Sequence, residues 1–208
     1  MRRAALLLMI AISVTGCKDP GAEVPAAKVE APSTPPSDSA PGTAKGASLA
    51  INPSNSKIEF VGAKVTASHE GGFTDFAGTV ELGDPVEQSR IDVTIQTASL
   101  YADKEKLTKH LKSPDFFDVE KFPTAAFRST EISKSGEGHT VTGDLTLHGV
   151  TKRISFPVSL RDDGGKLAAT AEFSINRQDF GIAYAGMPDD LIRDLVVIKL
   201  DIRPGPKS

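Results

Sequence analysis

Strict alternation of apolar and polar side chains recurs along residues 48–205, and a period of two marks a strand with one face buried and the other in water. In IDVTIQT, Ile91, Val93 and Ile95 share a face. In VTGDLTL, Val141, Leu145 and Leu147 lie opposite Thr142, Asp144 and Thr146. RISFPVSL repeats the pattern with Ile154, Phe156, Val158 and Leu160, and LAATAEFSI with Leu167, Ala169, Ala171, Phe173 and Ile175. LVVIKLDI does so with Val196, Ile198, Leu200 and Ile202. SKIEFVGAKV, GTVEL and AAFRSTEI complete a set of about eight strands. The connections are tight: HGVTK at 148–152 and RDDGGK at 161–166 have turn composition. Successive hairpins imply antiparallel pairing, hence a meander that closes into a barrel or packs as a sandwich. Closure would also remove exposed strand edges.

One helix interrupts the strands. Asp103 is placed to cap a helix starting near Lys104, with Leu107 and Leu111 on one face at i, i+4. Pro114 ends it by restricting Ser113. Asp115 is placed to cap a further turn carrying Phe116 and Phe117, and Phe122 precedes Pro123, so it should be extended. Four of the ten phenylalanines (Phe116, Phe117, Phe122 and Phe127) crowd into this Pro-punctuated, acid-rimmed stretch of a chain with no tryptophan.

The N-terminus has a different texture. MRRAALLLMIAISVTGC places Arg2 and Arg3 before an apolar run and then small residues, the layout of a signal peptide over residues 1–16. The run is too short to cross a bilayer as a stable helix. Val14-Thr15-Gly16-Cys17 resembles a bacterial lipobox, in which the cysteine is diacylated and becomes the new N-terminus. Cys17 is the only cysteine and falls where a lipobox needs it; ordinary secretory cleavage leaving a free thiol is the alternative. Each buried lipid methylene contributes about 0.8 kcal/mol, so two or three acyl chains hold a protein to a membrane. Lys18 in place of Asp points, by resemblance to enterobacterial sorting, to the outer membrane on its periplasmic side. Residues 17–47 read as the lipidated Cys followed by a disordered Pro/Ala/Ser-rich tether, extended and holding the domain off the membrane. Residues 48–205 are the domain, long enough to bury a real core.

Four motifs in order, SHEGGFTDFAGTVEL, LKSPDFFDVEKFPTAAFRST, VTGDLTLHGVTKRISFPV and FSINRQDFGI, resemble the YceI-like family of bacterial envelope proteins that bind polyisoprenoid lipids. The resemblance covers essentially all of residues 48–205. Two departures stand out: Phe60 occupies a first strand that often carries Trp, and GMPDDLIRDL holds extra residues between Met187 and Asp194. The resemblance implies an all-β, lipocalin-like, antiparallel eight-stranded β-barrel with one short helix or lid, enclosing an apolar cavity. Eight strands is about the smallest barrel that can hold a small ligand instead of filling itself with side chains. The residues expected to line the cavity are Phe60, Phe73, Phe76, Val93, Ile95, Leu107, Leu111, Phe116, Phe117, Phe122, Phe127, Leu145, Leu147, Phe156, Phe173, Ile175, Arg177 and Phe180. Of the lid residues, Phe116, Phe117 and Phe122 should point inward, with Asp115, Asp118, Glu120 and Lys121 in water.

Other chemistry is sparse. A net charge of -3, or -5 once residues 1–16 with their two arginines are removed, presents no basic face for nucleic acid. His69, His110, His139 and His148 show no HxH or HxxxH spacing, so no metal site is expected. His69 and His139 flank Gly-rich turns and should be exposed, His110 should face solvent from the helix, and His148 either bonds its turn or reaches a ligand head group. No GxSxG elbow or Gly-rich phosphate loop is present, and no enzyme activity is expected. Arg177 in NRQDFG should pair with an acid to fix a strand corner; the sharper alternative has it or Asn176 bond a quinone carbonyl or phosphate head. The expected partners are an isoprenoid lipid, a polyisoprenoid or quinone held as ligand with no other cofactor, and a membrane reached through Cys17, for either a monomer or a dimer. The rival readings are an enzyme acting on a hydrophobic substrate and a packed, ligand-free structural or stress-response module.

Overall fold

The computed structural model describes residues 19–31, 47–162 and 167–206. The expected signal peptide and Cys17 lie outside them. The strands are β1 (Lys28–Glu30), β2 (Ser48–Ile51), β3 (Lys57–Ala63), β4 (Ser68–Phe73), β5 (Phe76–Glu81), β6 (Arg90–Gln96) and β7 (Leu100–Ala102). After helix α1 (Glu105–Lys112) come β8 (Thr124–Ser135), β9 (Gly138–Leu147), β10 (Val150–Asp162) and β11 (Leu167–Asn176). A rim hairpin, β12 (Gly186–Met187) and β13 (Asp190–Leu191), precedes β14 (Leu195–Ile202) and β15 (Gly205–Pro206).

The alternating runs become neighbours in the order β5-β6-β8-β9-β10-β11-β14-β3, all antiparallel. The ring closes through bent strands. β3 pairs with β4 while β2, just upstream, pairs with β5, so β2–β3 and β4–β5 are two staves of one hairpin that turns a corner. β6–β7 bends beside them, with β5 on β6 and β4 on β7. Hydrogen bonds from Gln96 N–H to Asp75 O (3.0 Å) and Thr74 N–H to Ser99 O (3.3 Å) carry the pairing round the bend. Counted as staves the barrel is eight-stranded, and at its last seam Ile198 of β14 lies opposite Phe60 of β3.

One seam is only half sewn. β10 and β11 pair from Ser159–Asp162 to Leu167–Thr170 and then part. Residues 25–30 fill the gap. Lys28, Val29 and Glu30 of β1 pair with Ser155, Ile154 and Arg153 of β10. On the other side Ala27 N–H donates to Ser174 O (2.8 Å), and Ser174 N–H donates to Pro25 O (3.0 Å). Ala27 and Val29 pack against the core while Lys28 and Glu30 are exposed. Upstream, Asp19 caps the turn Pro20–Ala22, and buried Gly21 lies so close to β14 that a Cβ there would come within 2.3 Å of Leu195 Cβ. The expected tether over 17–47 is therefore corrected for residues 19–31, which form part of the wall. A Pro-rich composition forbids a large core of its own, but three residues can complete a neighbour's ladder. The remainder of the tether lies outside the described residues.

The NRQDFG corner closes the top of β11. Asn176 caps a short turn, and Gly181 takes the left-handed φ of 75° that ends it. The Arg177 side chain is buried and donates from Nη1 to Ile182 O (2.6 Å), from Nε to Arg193 O (3.1 Å) and from Nη2 to Asp194 Oδ1 (3.0 Å). Burial pulls this guanidinium below its usual range, and Asp194 offsets that pull. The expected acid partner is present, with backbone carbonyls doing most of the work.

Two outcomes follow from this wall. Gly21→Val should unseat the N-terminal segment, so that trypsin cuts after Lys28 about tenfold faster while the barrel's thermal midpoint moves little; an unchanged cleavage rate would show that Gly21 does not hold it. Arg177→Lys keeps the charge but loses the planar fork, and should cost about 2 kcal/mol, or roughly 4–8 °C in a thermal melt. A midpoint equal to that of the unsubstituted protein would remove Arg177 from the corner's support.

Candidate functional site

The barrel encloses a cavity of about 840 Å³ whose wall is almost wholly hydrocarbon. It exists because inward positions on facing staves carry side chains that do not meet across the middle. Fifteen of the eighteen expected lining residues border it. Phe60, Phe73, Val93, Ile95, Phe127, Leu145, Leu147, Phe156, Phe173 and Ile175 come from the strands, Leu107 and Leu111 from α1, and Phe116 and Phe117 from the segment after it, with Arg177 at the corner. Phe156 and Phe173 stack at 4.2 Å and 13°, with Phe127 tilted against Phe156 at 5.7 Å.

Three expected residues do not border the cavity. Phe76 is buried at the corner where β4 bends into β5, in a cluster with Ile51, Ile58, Val80 and Val93. Phe180 is fully buried beneath the Arg177 turn. Phe122, expected to point inward, lies outside on the β9–β10 hairpin, its ring 4.4 Å from that of His148 and pressed on Gly149. The cause is local: Asp118 turns the chain with φ 44°, and Phe122 O is held by Thr97 Oγ1 (2.7 Å), which aims the ring away from the lumen.

The lid differs from expectation in detail. Asp103 does not cap α1. Lys104 stands at the cap position without a side-chain hydrogen bond, and Asp103 meets His69 Nδ1 at 3.0 Å. His110, expected in solvent, borders the cavity. Its Nε2 lies 3.0 Å from Asp115 Oδ2, and its ring meets Phe116 at 5.0 Å and Tyr184 at 5.1 Å. Phe116 and Tyr184 are 5.2 Å apart, so three rings close on one another at the mouth. Phe117 continues the chain of aromatics to Phe73 and Phe60 in steps of 6.0 Å. The i+3 spacing of His110 from Leu107 is the signal that could have placed it on the inner face. Tyr184 carried no such signal, because it lies in an irregular loop.

His69 also borders the cavity, and His139 is half-buried with its Nε2 3.5 Å from Glu87, so neither has the full exposure expected. His148 takes a left-handed φ of 51° at its turn and lies 3.2 Å from Phe180 O, the structural role of its two alternatives. Among the described residues no group of three or more His, Cys, Asp or Glu side chains is arranged to hold a metal ion.

The residues between Met187 and Asp194 build the rim. Lys64 pairs with Asp190, and Thr66 donates to Asp190 from its hydroxyl at 2.9 Å. The Lys64 ammonium, with Thr66 behind it, holds the Asp190 carboxyl below the usual carboxylate range. Met187 borders the cavity yet is 62% exposed.

This arrangement has counterparts. A YceI-like domain matches residues 49–203. A UPF0312 protein of Pseudomonas putida (strain W619) is 42% identical over 125 residues, which are 56% of this chain and 65% of that protein. A UPF0312 protein of Photorhabdus laumondii is 46% identical over 96 residues, 45% of this chain and 50% of that one. The match thus spans less than two thirds of the length of these curated relatives. Among solved structures, Burkholderia cenocepacia BcnA superimposes with a TM-score of 0.66 at 24% identity, over 74% of this chain and 98% of BcnA. A polyisoprenoid binding domain from Saccharophagus degradans does so with a TM-score of 0.62 at 14% identity, over 77% of this chain and 99% of that domain. These two likenesses carry the barrel, the family match carries the ordered motifs from the first stave to the last, and together they identify the chain as a member of the YceI-like family.

Proposed function

We propose that this protein binds a polyisoprenoid or isoprenoid-quinone lipid in its barrel and sequesters or carries it at the bacterial envelope. The observation that carries the reading is the cavity: about 840 Å³, walled by hydrocarbon, within the range of roughly 300–1,000 Å³ typical of ligand pockets. Burying a five-carbon unit there would contribute about 4 kcal/mol at about 0.8 kcal/mol per methylene. Affinity then comes from shape and apolar area, and the few polar groups at the mouth orient the head. The description of the Saccharophagus degradans domain as polyisoprenoid binding supports the same class of ligand. Catalysis is not part of the reading, which rests on the contact area that the apolar wall offers.

Acylation of Cys17 completes the proposal: it makes the protein a lipoprotein facing the periplasm, with the outer membrane as the favoured site. The lipobox-like Val14-Thr15-Gly16-Cys17 supports it.

Native mass spectrometry of the soluble chain from Lys18, with organic extraction of the same sample, tests the ligand. A stoichiometric adduct with isoprenoid mass spacing is expected. Ala171→Trp, which fills the lumen from β11, should abolish the adduct and leave the thermal midpoint within a few degrees. An empty protein that gains no thermal stability from added quinones or polyprenols would point to a packed structural module instead. For the anchor, cells fed labelled palmitate should yield labelled protein, and Cys17→Ser should remove the label; label retained by the serine variant would exclude acylation at this position.

A further inference from the structure

The described chain begins at Asp19, two residues after Cys17. Asp19 is fixed: it caps the turn Pro20–Ala22, whose Gly21 is wedged against Leu195. Two residues of fully extended chain span at most about 7 Å. An acyl anchor on Cys17 is therefore held close to one point of the barrel surface, with no thirty-residue leash between them.

That point is next to the mouth. Asp19 shares a surface hollow with Val65, Leu191, Ile192 and Arg193. Among the described residues four large apolar side chains are exposed, and three of them, Val65 at 42%, Leu191 at 49% and Met187 at 62%, belong to this rim. The backbone ties them together: Val65 N–H donates to Leu191 O at 3.0 Å, and Met187 pairs across the β12–β13 hairpin with Asp190. Lys104, Lys106 and Arg193 border the cavity at the same mouth, cations suited to phospholipid phosphates. Among the described residues Asp190 is the carboxylate that borders the cavity there, and it is paired with Lys64; Asp194, in the same hollow as Asp19, is paired with Arg177.

We propose that Val65, Met187 and Leu191 form a docking surface for the phospholipid bilayer that holds the anchor, so that the cavity mouth opens onto lipid instead of water. The inference rests on acylation of Cys17. Exposed apolar side chains on a polar protein call for an occupant, and a bilayer is the one that the short leash keeps permanently opposite them. Side chains of this kind settle about 5–10 Å into the boundary between head groups and acyl chains. An isoprenoid could then slide between membrane and lumen past Met187 without crossing water. The residues between Met187 and Asp194 thereby gain a purpose: they extend the rim toward the membrane.

The test uses the full acylated protein in vesicles of phosphatidylethanolamine and phosphatidylglycerol. With Cys17 acylated, Met187→Cys supplies the only free thiol, and Glu137→Cys supplies one at the β8–β9 turn on the opposite end of the barrel. Each is labelled with an environment-sensitive dye. The dye at 187 should shift to the blue and be quenched by shallow spin-labelled lipids at least about twofold more than the dye at 137. If the protein floats with the vesicles but both dyes remain equally wet, docking is wrong and the anchor stands. If the protein does not float, the acylation reading fails and docking fails with it. A blue shift at 187 that grows with protein concentration in the absence of vesicles would assign the patch to a second copy of the chain and overturn the proposal.

Discussion

The structure depends on satisfying the backbone of a sheet that has to close. An antiparallel barrel around an open lumen has no central core to hold its walls together, so ladder hydrogen bonds from stave to stave carry the closure. Here the ring is complete except between β10 and β11 beyond the Ser159–Thr170 pair, on the side toward the Arg177 corner. Continued register from Ser159–Thr170 would set Phe156 opposite Phe173 and Ser155 opposite Ser174. The strands part instead. Phe156 and Phe173 still meet, ring on ring at 4.2 Å, while Ser155 and Ser174 each pair with the inserted N-terminal segment. Side-chain stacking bridges the gap on the lumen side, and three residues of borrowed strand supply the missing ladder. An unpaired peptide group buried in a wall costs as much as a lost hydrogen bond, and this seam would otherwise expose a row of them.

The same requirement explains the Arg177 corner. After β11 the chain leaves the sheet, builds the rim, and returns as β14, so several carbonyls in residues 182–194 have no strand partner. One planar guanidinium with its donors in a fixed fork collects three of them together with the Asp194 carboxylate. A buried cation partnered by carbonyls and an acid stabilises an irregular loop in a way no apolar residue can. Three carbonyls and Asp194 hold Arg177 in the corner-fixing role, while its side chain also borders the cavity.

Much of this was legible in the residues. All eight alternating runs became adjacent staves, because a period of two on a closed sheet determines which face is inside. What was not legible follows from features without a period. The bends that turn β2 into β3 and β4 into β5 leave no mark in the alternation, so Phe76 fell at a corner and not on the cavity wall. Phe122 shared its composition with Phe116 and Phe117, but a single left-handed residue at Asp118 put it on the other side of the wall. Asp103 had the chemistry of a helix cap and found a stronger partner in His69. The strand 28–30 was hidden in a Pro/Ala-rich segment, and its three residues, Lys-Val-Glu, are too short for alternation to register; only the gap that it fills reveals it.

That gap also bears on how the lumen stays open. A barrel whose walls could relax would be expected to collapse on an 840 Å³ apolar void, since cavities in protein interiors are costly. Relaxation is resisted at three places. The corner clamps the top of β11 and β14, the aromatic triad of His110, Phe116 and Tyr184 props the lid against the rim, and the inserted strand keeps β10 and β11 apart where they would otherwise zip together. Zipping would narrow the ring on the side where Phe156 and Phe173 project into it. The short N-terminal strand is thus a spacer as much as a patch: it helps set the barrel's circumference, and it does so with residues that lie outside the span that the family model matches.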